Sequence, residues 1–173
     1  MDNVTVDVDL DEVLAGLDEL EISAKAATRP AAQAGAQVFY EETKQRAPVH
    51  ERVRVDQGKT RVPGTLRDAI YQAYSKDRSD EQAGLAVYHV SWNRSKAPHG
   101  HLVEFGHKMP FKVVRTADGR VFTDVNKPSE NPSAIVGRRP FLRPAYDAAR
   151  TAALQASRAR LLEEVRALMP GLQ

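Results

Sequence analysis

The chain has 173 residues, a formal charge of +2 at neutral pH and no cysteine. Its length predicts a single domain over residues 1–173 with a buried core. The absence of cysteine excludes disulfide scaffolds, thiol catalysis and thiolate zinc sites. No apolar run approaches the roughly 18 residues of a membrane span, and no signal-peptide pattern is present, so we expect no membrane contact. The small charge gives no general argument for nucleic-acid binding.

The N-terminal part predicts a strand that leads into a long helix. Valines alternate with polar residues over Val4–Val8, which is the pattern of a half-buried strand. Leu10, Val13, Leu14, Leu17 and Leu20 then recur at helical spacing, and alanines continue this apolar face towards Lys44. Pro30 interrupts the pattern, so the segment is either one kinked helix or two helices that meet near Thr28.

Residues 48–63 form an inserted segment with many charges and few large apolar groups, so we expect it to be mobile in the free protein. The segment contains four cations, Arg52, Arg54, Lys59 and Arg61. These are the first candidates for a loop that faces DNA or a partner, although we favour a solvated loop.

The middle of the chain predicts a helix and then a strand. Thr65 is a candidate cap for a helix through Tyr74 that would place Leu66 and Ile70 on one face. Charged residues from Asp77 to Glu81 indicate a turn. Apolar groups on both faces of residues 84–92 predict a strand that is covered on each side.

The C-terminal half predicts a short helix, an extended region and a final helix. Residues 97–105 predict a helix that buries Leu102, Val103 and Phe105, with Gly106 in a left-handed position after its end. Residues 107–136 predict an exposed hairpin around Asp118-Gly119, followed by a loop. Pro144 fits the first turn of a helix to about Leu168. We expect its buried side to contain Ala145, Ala148, Ala152, Leu161, Val165 and Leu168.

Three histidines and a carboxylate form the cluster that most resembles an enzyme site: His99, His101, Glu104 and His107. Their spacing matches no zinc motif, so we expect no metal. The chain also lacks a nucleophile elbow and a phosphate-binding loop, so we expect neither a cofactor nor catalysis. A more economical role for Glu104 is to accept hydrogen bonds from backbone amides, or to pair with Arg138, Arg139 or Arg143.

Two segments carry a family signature: His101-Leu-Val-Glu-Phe-Gly106, and Gly137-Arg-Arg-Pro-Phe-Leu-Arg-Pro-Ala145. Together with Val4–Val8, Ala47-Pro48 and Gly64-Thr-Leu-Arg-Asp-Ala-Ile70, in this order, they resemble the neck or tail-completion proteins of long-tailed, double-stranded DNA bacteriophages. The inserted residues His50–Pro63 depart from the family pattern. The predicted fold is α+β, with a small, mainly antiparallel sheet packed against long N-terminal and C-terminal helices. Residues 84–92 and the hairpin form this sheet, with the N-terminal strand as an optional further member.

The resemblance implies a structural virion protein that is assembled in the host cytoplasm. It would form a homo-oligomeric ring of six subunits, with twelve as the alternative, between the head connector and the tail tube. Its partners would be head-completion or connector proteins and the tail terminator or tail tube, with non-specific contact to passing DNA. Three alternatives remain: a tail terminator, a small enzyme or toxin that uses the histidine cluster, and a cellular DNA-binding module, which is the weakest. The residues implied in structural or subunit contacts are Glu104, Phe105, Gly106, Arg138, Arg139, Pro140, Phe141 and Arg143.

Overall fold

The computed structural model describes residues 10–49, 54–56, 59–117 and 121–169, so the predicted strand over Val4–Val8 and the Asp118-Gly119 turn lie outside the described residues. The helices are α1 (Leu10–Arg46), α2 (Thr65–Asp68), α3 (Gly100–Phe105) and α4 (Leu142–Leu168), with a 3-10 turn at Lys76–Arg78. α1 continues through Pro30, so the alternative of two helices is wrong. None of the described helices has the length and apolar character needed to cross a membrane.

The described strands pair two by two. The pairs are β1 (Arg54–Asp56) with β2 (Lys59–Arg61), β3 (Ile70–Tyr74) with β4 (Tyr88–Trp92), β5 (His107–Lys108) with β8 (Ile135–Val136), and β6 (Phe111–Arg115) with β7 (Val121–Pro128). The α+β class, with long helices and small antiparallel pairing, is confirmed. Among the described residues, however, β4 and the β6–β7 pair belong to separate sheets, where the sequence suggested one.

The chain forms two compact units. The first contains Met1–Ala36, Tyr74–His89 and Ala152–Gln173, and the second contains Gln37–Ala73 and Val90–Thr151. Each unit therefore includes part of both long helices. The single domain over residues 1–173 stays a prediction.

In the first unit, α1 and α4 approach each other through small residues. A Cβ atom added to Gly35 would overlap the Ser157 hydroxyl and lie 3.2 Å from the Ala153 carbonyl oxygen. Ala27, Ala31 and Ala153 are buried. These small side chains therefore allow the two helices to approach closely.

Arg29 ties α1 to the strand ends of the same unit. Its guanidinium lies 4.4 Å from the centroid of the Tyr74 ring and 3.5 Å from the Glu81 carboxylate. A hydrogen bond with the Tyr88 hydroxyl raises the pKa of Arg29 above its usual value. The stacked cation and its polar partners therefore fix one position of α1.

The core of the second unit surrounds Phe141. Its buried members are Ala47, Leu66, Ala69, Ile70, Ala97 and Phe141, and Tyr40, Val90, Trp92, Val103 and Leu142 pack against them. The predicted helix from Thr65 to Tyr74 is wrong beyond Asp68. The Ala69 carbonyl instead accepts the Asn93 amide at 2.8 Å, and β3 pairs with β4. Leu66 and Ile70 are nevertheless both buried, as the sequence predicts.

The final helix has the predicted extent but a different buried side. Ala145, Ala149 and Ala153 are buried, whereas Ala148 and Ala152 are exposed and Leu168 is 48% exposed. The predicted burial of Ala148, Ala152 and Leu168 is therefore wrong. Alanines occur on several sides of this helix, so no large side chain sets the phase of the apolar pattern.

Candidate functional site

Glu104 joins the two signature segments. Its carboxylate is buried, with 5% of the residue exposed, at the end of α3. It accepts the backbone N–H groups of Phe141 at 2.7 Å, Leu142 at 3.1 Å and Arg143 at 3.4 Å. Of the two roles expected for Glu104, binding to backbone amides is therefore the one observed. Within the described part of the chain, it forms no ion pair with Arg138, Arg139 or Arg143.

This arrangement satisfies the start of α4. The first amides of a helix have no partner within the helix, and their partial positive charge favours an anion. Glu104 accepts three of them, Pro144 has no amide proton, and the Ala145 amide bonds to the Phe141 carbonyl. The two signature segments thus form a helix cap. The first segment supplies the carboxylate, and the second supplies the backbone amides that it binds.

Gly106 allows the second segment to lie against α3. Its φ is 75° and its ψ is 174°, so φ is positive as expected but ψ is extended, and the predicted left-handed helical position is wrong. A Cβ atom here would lie 2.7 Å from the Val136 carbonyl oxygen and 3.1 Å from the Arg138 nitrogen. Next to it, the Arg139 amide donates to the Val103 carbonyl at 2.8 Å.

We expect Gly106→Ala to lower the free energy of unfolding by about 2 kcal/mol or more, because the new methyl group meets backbone atoms and the positive φ strains any L side chain. Gly137→Ala is the matched control, since a Cβ at Gly137 meets nothing within 4 Å. Urea unfolding of both variants would measure the difference. Equal stability of the two variants would contradict this account of Gly106.

The other side chains predicted to take part in structural or subunit contacts lie at the surface. Phe105 is 75% exposed, so its predicted burial is wrong. Arg138, Arg139, Pro140 and Arg143 are also exposed. The structure therefore divides the predicted set into buried Glu104 and Phe141, which hold the fold, and neighbouring side chains that are available to another molecule. Their role in subunit contacts stays a prediction.

Phe105 also borders a groove that sequence reasoning missed. The groove has a volume of about 580 Å³ and is lined by the rings of Tyr71, Trp92 and Phe105 and by Arg94 and His101. Trp92 lies against Gly100, where any Cβ atom would overlap the indole, and its ring packs edge-on against Phe141 at 6.0 Å. In the sequence, Gly100 is the one signal for this close contact between the backbone and the Trp92 ring. The base of the groove is thus tied to the core.

The histidine cluster does not assemble into a site in the described residues. Glu104 is occupied by backbone amides, His101 is exposed in the groove, and the Nδ1 atom of His107 is buried without a hydrogen-bond partner. The described residues contain no group of three or more histidine, aspartate or glutamate side chains that is suited to hold a metal ion.

We expect dialysis of the protein against a chelator to leave its melting temperature unchanged, because the fold uses the Glu104 carboxylate as a helix cap. The measurement is thermal unfolding before and after dialysis. A large drop that added zinc restores would show a structural metal site.

The basic candidates of the inserted segment are only partly described. Arg54, Lys59 and Arg61 belong to the antiparallel pair of β1 and β2, in which Arg54 lies opposite Arg61. Arg52 lies outside the described residues, as do residues 57–58. The structure describes residues 48–63 only in part, so the predicted mobility of this segment stays a prediction.

Comparison with known proteins identifies a family. A family model described as "Bacteriophage HK97-gp10, putative tail-component" matches residues 11–106, which is more than half of the chain. The matched range contains α1 from its second residue onward, α2, α3 and the Val-Glu-Phe-Gly segment. No curated protein and no solved structure matches the chain.

Proposed function

The chain belongs to the HK97-gp10-like family of bacteriophage tail components, and we propose that it is a structural protein of the virion neck, needed for tail completion or head–tail joining. In this proposal it forms a ring between the head connector and the tail tube. The virion is its site of action, and we expect no catalytic role.

The observation that carries the proposal is the use of Glu104. In the described residues, the only buried carboxylate of the histidine cluster caps α4 and leaves Phe105, Arg138, Arg139 and Arg143 exposed beside it. Such an arrangement suits a rigid structural unit that presents aromatic and arginine side chains, which are enriched at interfaces between proteins.

Ring stoichiometry follows from symmetry. A repeated contact between unlike patches closes only when its rotation fits a whole number of subunits. Six subunits would match the tail tube and twelve the connector, and we propose six. Connector or head-completion proteins would bind one face of this ring, and the tail terminator or tail tube would bind the other. DNA would pass through it, with the inserted segment as the first candidate for non-specific contact.

Deletion of the gene from the parent phage tests this function. We expect filled heads and separate tails of normal length, and restoration of infectious particles when purified protein is added to the lysate. Tails of uncontrolled length would instead favour the tail terminator. Normal particles without the protein would overturn the structural role, and a loss of infectivity after entry would favour an enzyme or toxin.

Arg139→Ala should separate assembly from folding. The Arg139 side chain is exposed, and its backbone amide, which bonds to Val103, is kept in the variant. We expect a change in stability within about 0.5 kcal/mol but a loss of complementation in the deletion lysate. Arg158→Ala, which removes an exposed arginine from α4, should complement normally. Full complementation by Arg139→Ala would remove this residue from the interface.

A further inference from the structure

The N-terminal part of α1 presents an apolar stripe that nothing in the described chain covers. Residues 10–22 are all exposed, although they form one continuous helix. Leu10, Val13, Leu14, Leu17 and Leu20 recur at helical spacing and are between 36% and 64% exposed. Helices in proteins gain most of their stability from packing of their apolar side, so this uncovered stripe indicates a partner.

The same stretch is strongly acidic. Residues 10–22 contain Asp11, Glu12, Asp18, Glu19 and Glu21 and no lysine, arginine or histidine. Asp11 and Asp18 are seven residues apart, so they flank the apolar stripe along one edge. We call this exposed side of residues 10–22 the acidic leucine stripe. A surface that fits it must combine apolar contact with positive charge.

The groove of the second unit has both properties. Tyr71 and Phe105 are 42% and 75% exposed, and the Trp92 ring also lines the groove. Besides the Tyr71 phenol, its titratable lining residues are Arg94 and His101, and no carboxylate of a described residue lines it. A volume of about 580 Å³ lies in the range that accepts several side chains.

We propose that the acidic leucine stripe of one copy docks in the aromatic groove of a neighbouring copy. This inference rests on the proposed ring, and it names the contact that would build it. The leucines would pack on the three rings, while carboxylates at the edge of the stripe would lie near Arg94 and His101. Because the two patches differ, the contact is head-to-tail, which is the kind that generates rings. Opposite charges would favour this orientation over contacts between two like patches.

Cross-linking in assembled particles tests the contact, since the natural chain has no cysteine. The doubly substituted protein, Leu17→Cys with Phe105→Cys, is used to complement the deletion lysate, and purified particles are treated with a short bismaleimide. We expect a ladder of covalent multimers on a denaturing gel, and no ladder from either single variant. Leu154→Cys with Phe105→Cys is the matched control, because Leu154 is a 71% exposed leucine on α4.

A second pair, Leu17→Cys with Arg94→Cys, repeats the test at another position of the groove and leaves Phe105 intact. A ladder from either Leu17 pair, absent from the control, supports the contact. Complemented particles that contain the protein but give no ladder with either pair would overturn it and leave the neck function standing. Loss of infectivity in both pairs, with the Leu154 control active and all proteins folded, would support the acidic leucine stripe as an interface, because both pairs share Leu17→Cys and the active control already carries Phe105→Cys. Absence of the natural protein from particles would instead overturn the proposed function.

Discussion

Phe141→Ala should lower the free energy of unfolding by about 3 to 5 kcal/mol, which is typical for truncation of a buried phenylalanine. Phe141 is 0% exposed and lies at the centre of the second unit's core. Its ring also packs edge-on against Trp92, a geometry that adds to the stabilisation from buried area. Since a domain has only about 5 to 15 kcal/mol in total, the variant should also be poorly soluble.

The measurement is urea unfolding followed by the fluorescence of Trp92, the single tryptophan of the chain. A lower midpoint with an unchanged slope would report a change in stability alone. Phe105→Ala is the matched control, because it removes the same ring from a 75% exposed position and should change stability by about 0.5 kcal/mol or less. Equal midpoints for the two variants would contradict the assignment of Phe141 to the core.

Substitutions of Glu104 should form a graded series. Glu104→Gln retains an oxygen that can accept the Phe141 and Leu142 amides but loses the charge and the bond to Arg143, so we expect a loss of about 1 to 2 kcal/mol. Glu104→Ala leaves all three amides without an acceptor and should cost about 3 kcal/mol or more. The larger loss reflects desolvated donors, because the Phe141 amide is buried.

The series can be measured by the same unfolding experiment. Glu130→Gln is the control, since the Glu130 side chain is 91% exposed and its ion pair with Lys112 lies at the surface. Such pairs contribute little to stability. Glu104→Ala within about 0.5 kcal/mol of the parent protein would show that the hydrogen bonds to α4 do not hold the two signature segments together.

The sequence predicts those elements whose signals are local. The periodicity of α1 and the proline at the start of α4 place both long helices, and the alternation around residue 88 places β4. The spacing of Leu66, Ile70 and Tyr74 fits a helix equally well, but strand pairing with β4 decides the structure of β3. β5 and β8 have two residues each and are far apart in the sequence, so no local pattern predicts them.

The candidate site shows the same division. The carboxylate and the amides that it binds follow from the two motifs, because a helix that begins near Pro144 needs acceptors for its first amides. The exposure of Phe105 and of the leucines of α1 cannot be predicted from the sequence. An apolar residue gives the same sequence pattern whether its own chain or another molecule covers it. The groove depends on Gly100 and Trp92, whose contact is set by tertiary packing.

A density map of the neck of the intact parent phage tests the central claim most directly. The neck assignment predicts a ring of this fold between the head connector and the tail tube, with six copies and with α1 of each copy against the groove of the next. A neck without this chain, or its location at another part of the particle, would contradict that assignment.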